Sequence, residues 1–120
     1  MKQTTNLKEM KAMKKMNLTV LERLVLLNLL PKEENFATLK LMRVAKETLS
    51  FNDIENQKLK FNQVGDQVNW NEEAAKEISE HFEIELGEVV SILIAEELKK
   101  LNEEKKLTDS HFTLYEKFVE

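Results

Sequence analysis

The segment LTVLERLVLLNLLP, residues 18–31, has nine aliphatic residues among its fourteen. Placed at about 100° per residue, most of its leucines and valines form two adjacent stripes of a helix over 18–30, with Asn28 between the stripes and Leu26 and Leu30 outside both. A helix that is apolar over most of its circumference is buried on several sides, so we expect Asn28 to be a hydrogen-bonded core amide. Pro31 ends this helix, because its ring disfavours helical geometry at Leu30.

Two more helices are predicted after Pro31. Residues 36–49 have helical spacing, and Asn35 is a favourable N-cap. The predicted inward face of this helix consists of Phe36, Leu39, Met42, Ala45 and Leu49. The segment SFNDIENQK predicts one short helix capped by Ser50.

A β-hairpin is predicted around Gly65-Asp66, which is a two-residue turn signal. Pairing around this turn places Val64 opposite Gln67, Gln63 opposite Val68, and Phe61 opposite Trp70. This register gives one face for the core and one for water, as a half-buried hairpin requires.

Residues 72–86 have both helical and strand spacing, and we interpret them as a helical turn near 72–77 followed by a third strand near 81–86. A helix over 88–105 follows, apolar all round in its first half. The chain then closes with a helix that is capped by Thr108 or Asp109 and whose inward face consists of Phe112, Tyr115, Phe118 and Val119. The sequence therefore predicts an α+β fold, mostly helical, with a small antiparallel sheet made of the hairpin and a third strand, in the order α-α-α-β-β-β-α-α.

The 120 residues fit one domain, which we place at 17–120, preceded by a basic tail at 1–16. The tail has five lysines and one glutamate, a charge of +4, whereas the rest has 13 basic and 21 acidic residues, a charge of −8. Leu7, Met10, Met13 and Met16 recur every three residues of the tail. The tail is either a basic amphipathic helix for a membrane surface or a partner groove, or an extension before a start at Met13 or Met16; we favour the extension.

No membrane span and no secretory signal are expected. The apolar helix over 18–30 reaches about 20 Å, against about 30 Å of hydrocarbon in a bilayer. The segment before it is long and charged, with no cleavage site of small residues after the apolar run. The absence of cysteine suits a reducing compartment, so we expect a cytoplasmic location.

Little in the sequence indicates catalysis. There is no cysteine nucleophile, and two glycines are few for a loop-built active site, so we expect neither an enzyme nor a bound cofactor. His81, Glu83 and Glu85 share one face of the predicted third strand. At about 3.3 Å per residue these groups are too far apart to form a metal site alone, so we favour a solvated face.

Residues 72–104 hold eleven acids and three lysines. Carboxylates are usually solvated, but a dense acidic surface can also attract a basic protein and speed its association. We therefore predict a partner-binding acidic face, with Glu83, Glu85, Glu96, Glu97, Glu103 and Glu104 as the candidate residues. We also predict a homodimer that covers the apolar helices 18–30 and 88–101.

The alternative is a winged helix-turn-helix, a DNA-binding arrangement of three helices followed by a β-hairpin. Its candidate DNA-binding residues are Lys40, Arg43, Lys46, Lys58 and Lys60. Asp53 and Glu55 on the presumed recognition helix, and an acidic hairpin tip, argue against it.

Three segments carry a resemblance to a known class of proteins: LTVLERLVLLNLLPKEENFATLK, NQVGDQVNWN and AEELKKLNEEKKLTDSHFTLYEKFVE. With these segments, most of residues 17–120 resembles small uncharacterised proteins encoded by bacteriophages and prophages. The resemblance implies a viral accessory role, such as binding a host protein or weakening a host defence, and carries no functional residues across. We therefore expect a non-enzymatic protein-binding protein.

Overall fold

A computed structural model describes residues 15–120, and the predicted tail helix lies outside them. The elements are β1 (Met16–Asn17), α1 (Val20–Leu29), α2 (Phe36–Leu49), α3 (Asp53–Leu59), β2 (Asn62–Val64), β3 (Gln67–Asn69), α4 (Glu72–His81), β4 (Glu83–Ile84), α5 (Glu88–Glu103) and α6 (Phe112–Phe118), with a 3₁₀ turn at Asp109–His111. The prediction of a mostly helical α+β fold is confirmed.

Side-chain caps determine where several helices begin. Thr19 and Glu22 form a capping box at α1, and the side chain of Asn35 accepts from the Thr38 N–H at α2. The short helix α3 is capped by Asn52, not by Ser50, because Asn52 and Glu55 form the reciprocal capping box. Ser50 instead ends α2, where its hydroxyl donates to the Lys46 carbonyl at 2.6 Å.

The predicted hairpin register is confirmed, but every residue of β2 and β3 is exposed, so the prediction that one face of this ladder lies in the core is wrong. Val64 pairs with Gln67 and Gln63 with Val68, and the turn glycine, Gly65, has a φ of 61°. The rings of Phe61 and Trp70 meet edge to face beyond the ladder, with centroids 6.0 Å apart.

The prediction for residues 72–86 is wrong in extent. The helix α4 continues to His81, and β4 covers only Glu83–Ile84. The strand β4 does not extend the hairpin but pairs antiparallel with β1, so the described residues contain two separate two-stranded ladders. Residues 72–81 form a helix because helical spacing places Ala74, Ala75 and Ile78 in the same apolar cluster as Phe61 and Trp70, which flank the hairpin.

The core has two parts that meet at α1. The larger part is built from α1, α2, α5 and α6, and its fully buried side chains include Leu26, Leu30, Met42, Leu49, Ile94, Leu98 and Leu114. The smaller part contains Val20, Leu59 and Ala75, surrounded by residues that include Phe51, Phe61 and Trp70. Within residues 15–120, no helix is long and apolar enough to cross a membrane.

Three predicted core positions are wrong. Asn28 is exposed, because it lies on the opposite side of α1 from the buried Leu26. Phe36 at the start of α2 is 76% exposed, and Phe112 is 65% exposed while Leu114 takes the buried position of α6. Glu22 and Arg23 also occupy buried positions of α1, which leaves Leu21 at the surface.

Candidate functional site

An apolar groove of about 320 Å³ lies between α2 and the beginning of α5. Leu41, Val44 and Val89 line it and remain substantially exposed, Val44 to 60%. The other lining residues are Ala45, Thr48, Glu85, Leu86, Gly87, Glu88 and Val90. We call this feature the α2–α5 groove.

The helical register of α2 explains one wall of the groove. Met42, Ala45 and Leu49 turn into the core, so Leu41, Val44 and Thr48, at positions i, i+3 and i+7, form a neighbouring stripe. On α5 the buried residues are Val90, Ile94 and Leu98, and Val89 lies outside that face. An apolar stripe that no other element of residues 15–120 covers is typical of an interaction surface.

Carboxylates supply the only charges among the residues that line the groove. Glu85 and Glu88 are both exposed, and Glu83 is exposed two residues before Glu85. The α2–α5 groove therefore combines an apolar floor with an acidic rim.

The candidate residues of the acidic face are spread along α5. Glu83 and Glu85 precede the helix, Glu96 and Glu97 lie in its middle, and Glu103 ends it, about 22 Å from Glu88. Glu104 follows the helix and lies 3.7 Å from Lys106. Of the six candidate residues, only Glu85 lines the groove.

The candidate DNA-binding residues lie on α2 and at the end of α3. Lys40, Arg43 and Lys46 are exposed on α2. Lys58 lies 3.5 Å from the carboxylate of Glu77, and Lys60 ends α3 with a φ of 50°.

The two histidines have different surroundings. His81 is the last residue of α4, so the prediction that it shares a strand face with Glu83 and Glu85 is wrong. His111 caps the turn before α6, where its Nδ1 accepts from the Thr108 N–H at 2.9 Å. No group of three or more His, Asp or Glu side chains that could hold a metal ion occurs in the described part of the chain.

The sequence analysis missed the buried ion pairs of α1. The guanidinium of Arg23 donates to both carboxylate oxygens of Glu55, at 3.0 and 3.2 Å, and to the carbonyls of Leu49 and Ser50, at 3.0 and 2.7 Å. Its carbon Cζ lies 4.0 Å from the ring centroid of Phe51 and 3.7 Å from that of Phe82. One side chain thereby joins α1, the end of α2, the beginning of α3 and the end of α4.

Glu22 connects α1 to the last described helix, α6. Its carboxylate accepts from Lys117 Nζ at 2.7 Å and from Thr113 Oγ1 at 2.6 Å, both on α6, and from the Thr19 N–H at 2.9 Å. Lys117 also donates to the Asn17 carbonyl at 2.8 Å. The adjacent residues Glu22 and Arg23 therefore connect α1 to α6 and to the junction of α2 and α3.

These contacts lower the pKa of the buried carboxyl of Glu22 and of the partly buried carboxyl of Glu55. Burial alone raises the pKa of Glu22, but the hydrogen bonds from Lys117, Thr113 and the Thr19 N–H outweigh it. Burial likewise raises the pKa of Glu55, and the hydrogen bonds from Arg23 and the Asn52 N–H outweigh it. Both groups are thus held as carboxylates, and their role is to fix the scaffold that carries the groove.

No protein-family model, no curated protein sequence and no solved structure matches this chain.

Proposed function

We propose that this protein is a non-enzymatic binding module whose α2–α5 groove accepts a short amphipathic segment of a basic partner protein. The observation that carries the proposal is the exposed apolar stripe of Leu41, Val44 and Val89, with Glu85 and Glu88 beside it. An amphipathic helix that lays its apolar face into such a groove uses anchors at i, i+3 or i+4, and i+7.

The two features of the groove have separate roles in this proposal. Burial of the valine and leucine side chains supplies affinity, at about 25 cal/mol per Å² of apolar area before the costs of association. The carboxylates at the rim speed the encounter with a basic segment and favour one orientation. The predicted acidic face is retained in part, through Glu83 and Glu85 near the groove.

The wider role that we propose is that of an accessory protein encoded by a bacteriophage, which binds a protein of the host inside the host cell. Its support is the resemblance of the sequence segments quoted above. A second copy of the chain is an alternative occupant of the same apolar surface. DNA binding has less support, because Lys58 lies beside Glu77, α3 has seven residues, and Glu55 is engaged with Arg23.

The test uses a synthetic helical peptide of leucine and lysine, with leucines at i, i+3 and i+7. It is titrated into the full-length ¹⁵N-labelled protein, and the amide shifts are followed by NMR. We expect shifts concentrated at Val44, Thr48 and Val89. The substitution Val44→Asp should weaken binding at least tenfold, which is about 1.4 kcal/mol.

The matched control is Ile54→Asp, which places the same charge at a similarly exposed apolar residue on α3. It should leave the affinity for the peptide unchanged. Equal affinities in wild type and Val44→Asp, or shifts spread over the acidic surface without preference for the groove, would overturn the proposal.

A further inference from the structure

We infer that, in the absence of another partner, the α2–α5 groove is covered by helix α2 of a second copy, in a symmetric homodimer. This inference rests on the proposed function, because it names α2 as a basic amphipathic segment that the same groove accepts. The interface differs from the one expected from the sequence, since Leu26 and Leu30 of the first apolar helix are buried in the core of their own chain.

Exposed apolar side chains are concentrated on the two helices that form the groove. Of the ten large apolar side chains that remain exposed in residues 15–120, five lie on α2 or on the first two turns of α5. Leu41 and Val44 belong to the α2 wall, and Val89 and Ile92 lie at i and i+3 of α5. The other five are distributed over α1, α3, the hairpin and α6. This region is therefore the surface that gains most from being covered.

Helix α2 has the pattern of the segment that the groove accepts. Leu41, Val44 and Thr48 lie at i, i+3 and i+7, which is the spacing with which an amphipathic helix anchors in a groove. Three basic residues and one acid, Glu47, give this helix a charge of +2, and all four are exposed. An exposed helix of the right pattern and sign is thus part of every copy of the chain.

The two walls of the groove differ in the sign of their charges. Lys40 and Arg43 are exposed on α2, whereas Glu85 and Glu88 are exposed at and just before the beginning of α5. None of these four groups forms an ion pair with another residue of the described range 15–120. Each wall is therefore complementary in charge to the opposite wall of another copy.

A twofold axis through the groove brings the complementary walls together. In an isologous interface the same surface is used by both copies, so α2 of each copy can face α5 of the other. The two apolar stripes then cover each other, and the basic side chains of each α2 meet the carboxylates of the opposite α5. Contact of α2 with α2 alone would place like charges together, which is unfavourable.

Analytical ultracentrifugation of the full-length protein tests the inference. We expect the mass to rise from the 14.1 kDa of one chain to twice that value as the protein concentration is raised through the micromolar range. Val44→Asp should weaken dimerisation at least tenfold, whereas Ile54→Asp, at a similarly exposed position of α3, should leave it unchanged. A wild type that keeps the mass of one chain at every concentration would overturn the inference.

Charge reversal tests the pairing of α2 with α5. Lys40→Glu with Arg43→Glu, and separately Glu85→Lys with Glu88→Lys, should each give a monomer, because like charges then face each other at both contacts. An equimolar mixture of the two variants should recover a dimer, since each contact then joins one acidic wall and one basic wall. Circular dichroism checks that both variants keep the fold of the wild type. Dimers of either variant alone, or a mixture that remains monomeric, would mean that α2 does not face α5, and the inference would fail.

The leucine–lysine peptide separates this inference from the proposed function. Added to the dimer, the peptide should replace α2 of the second copy and leave one chain bound to one peptide. Peptide binding to a wild type that never dimerises contradicts this inference alone, and so does peptide bound to an intact dimer. A dimer that the peptide neither binds nor dissociates contradicts the binding of a foreign segment and leaves the homodimer standing.

Discussion

At the scale of single residues, Arg23 joins several elements of the fold through one buried side chain. A buried guanidinium is costly to desolvate, and this one is compensated by a bidentate carboxylate, two carbonyls and two aromatic faces. In the sequence LERLV, Arg23 has the pattern of an ordinary charged residue on the solvent-facing side of an amphipathic helix. Its burial depends on Glu55 and Phe82, which are far along the chain, and periodicity contains no information about such partners.

Arg23→Ala should destabilise the fold by about 3–5 kcal/mol, because it leaves the buried part of Glu55 and two carbonyls without their partner. Chemical denaturation followed by circular dichroism measures this loss. Arg43→Ala removes an exposed arginine from the neighbouring helix α2 and should change the free energy of unfolding by less than about 0.5 kcal/mol. Similar losses in the two variants would mean that Arg23 is no more important to the fold than a surface charge.

At the scale of elements, only one of the two glycines has a backbone conformation that requires glycine. Gly65 has a φ of 61° in the hairpin turn, whereas Gly87 at the N-cap of α5 has a φ of −63°, and neither has an atom within 4 Å of an added Cβ. Only Gly65 therefore needs the left-handed conformation that glycine adopts without strain.

Gly65→Ala should cost about 1 kcal/mol or more, because alanine is strained at positive φ. Gly87→Ser should gain a few tenths of a kcal/mol, because serine adds a capping oxygen that α5 lacks. Thermal unfolding of both variants measures the contrast. A neutral Gly65→Ala would show that the turn relaxes into another geometry.

Local sequence patterns predicted most of these elements. The predictions that were wrong have a common cause. Asn35 before α2 and Gly65-Asp66 in the hairpin act through residues within a few positions, so the sequence reveals them. The length of α4 and the pairing of β4 with β1 depend on contacts between Glu83 and Asn17, 66 positions apart in the chain. The α2–α5 groove was missed for the same reason, since exposure of Val44 depends on what α5 leaves uncovered.

At the scale of the whole molecule, the carboxylates of Glu22 and Glu55 connect stability to pH. The pKa values of Glu22 and Glu55 are lowered in the folded protein. As the pH falls, these carboxyls therefore take up protons in the unfolded chain, near the ordinary glutamate pKa of about 4.3, before they do so in the folded protein. Their contribution to stability is therefore complete above that value and is lost as the pH falls through the folded-state pKa values.

The free energy of unfolding should accordingly fall as the pH is lowered from 5 toward 3, which urea titrations at a series of pH values would measure. Glu22→Gln removes one of the two responsible groups, so its slope over this interval should be shallower than that of the wild type. Parallel slopes would assign the acid sensitivity to other carboxyls.

The contacts of Glu22 also affect how the protein is made. The partners of this carboxylate, Thr113 and Lys117, follow it by 91 and 95 positions. At about 5–20 residues per second, a ribosome needs roughly 5–20 s to add them. During that interval α1 has been synthesised with a carboxylate that must remain hydrated, so its burial in the larger core has to wait for the last helix. Completion of this part of the fold therefore requires residues 113–117 to have left the ribosome, and a nascent chain stalled before residue 113 exposes the apolar surface of α1 to chaperones.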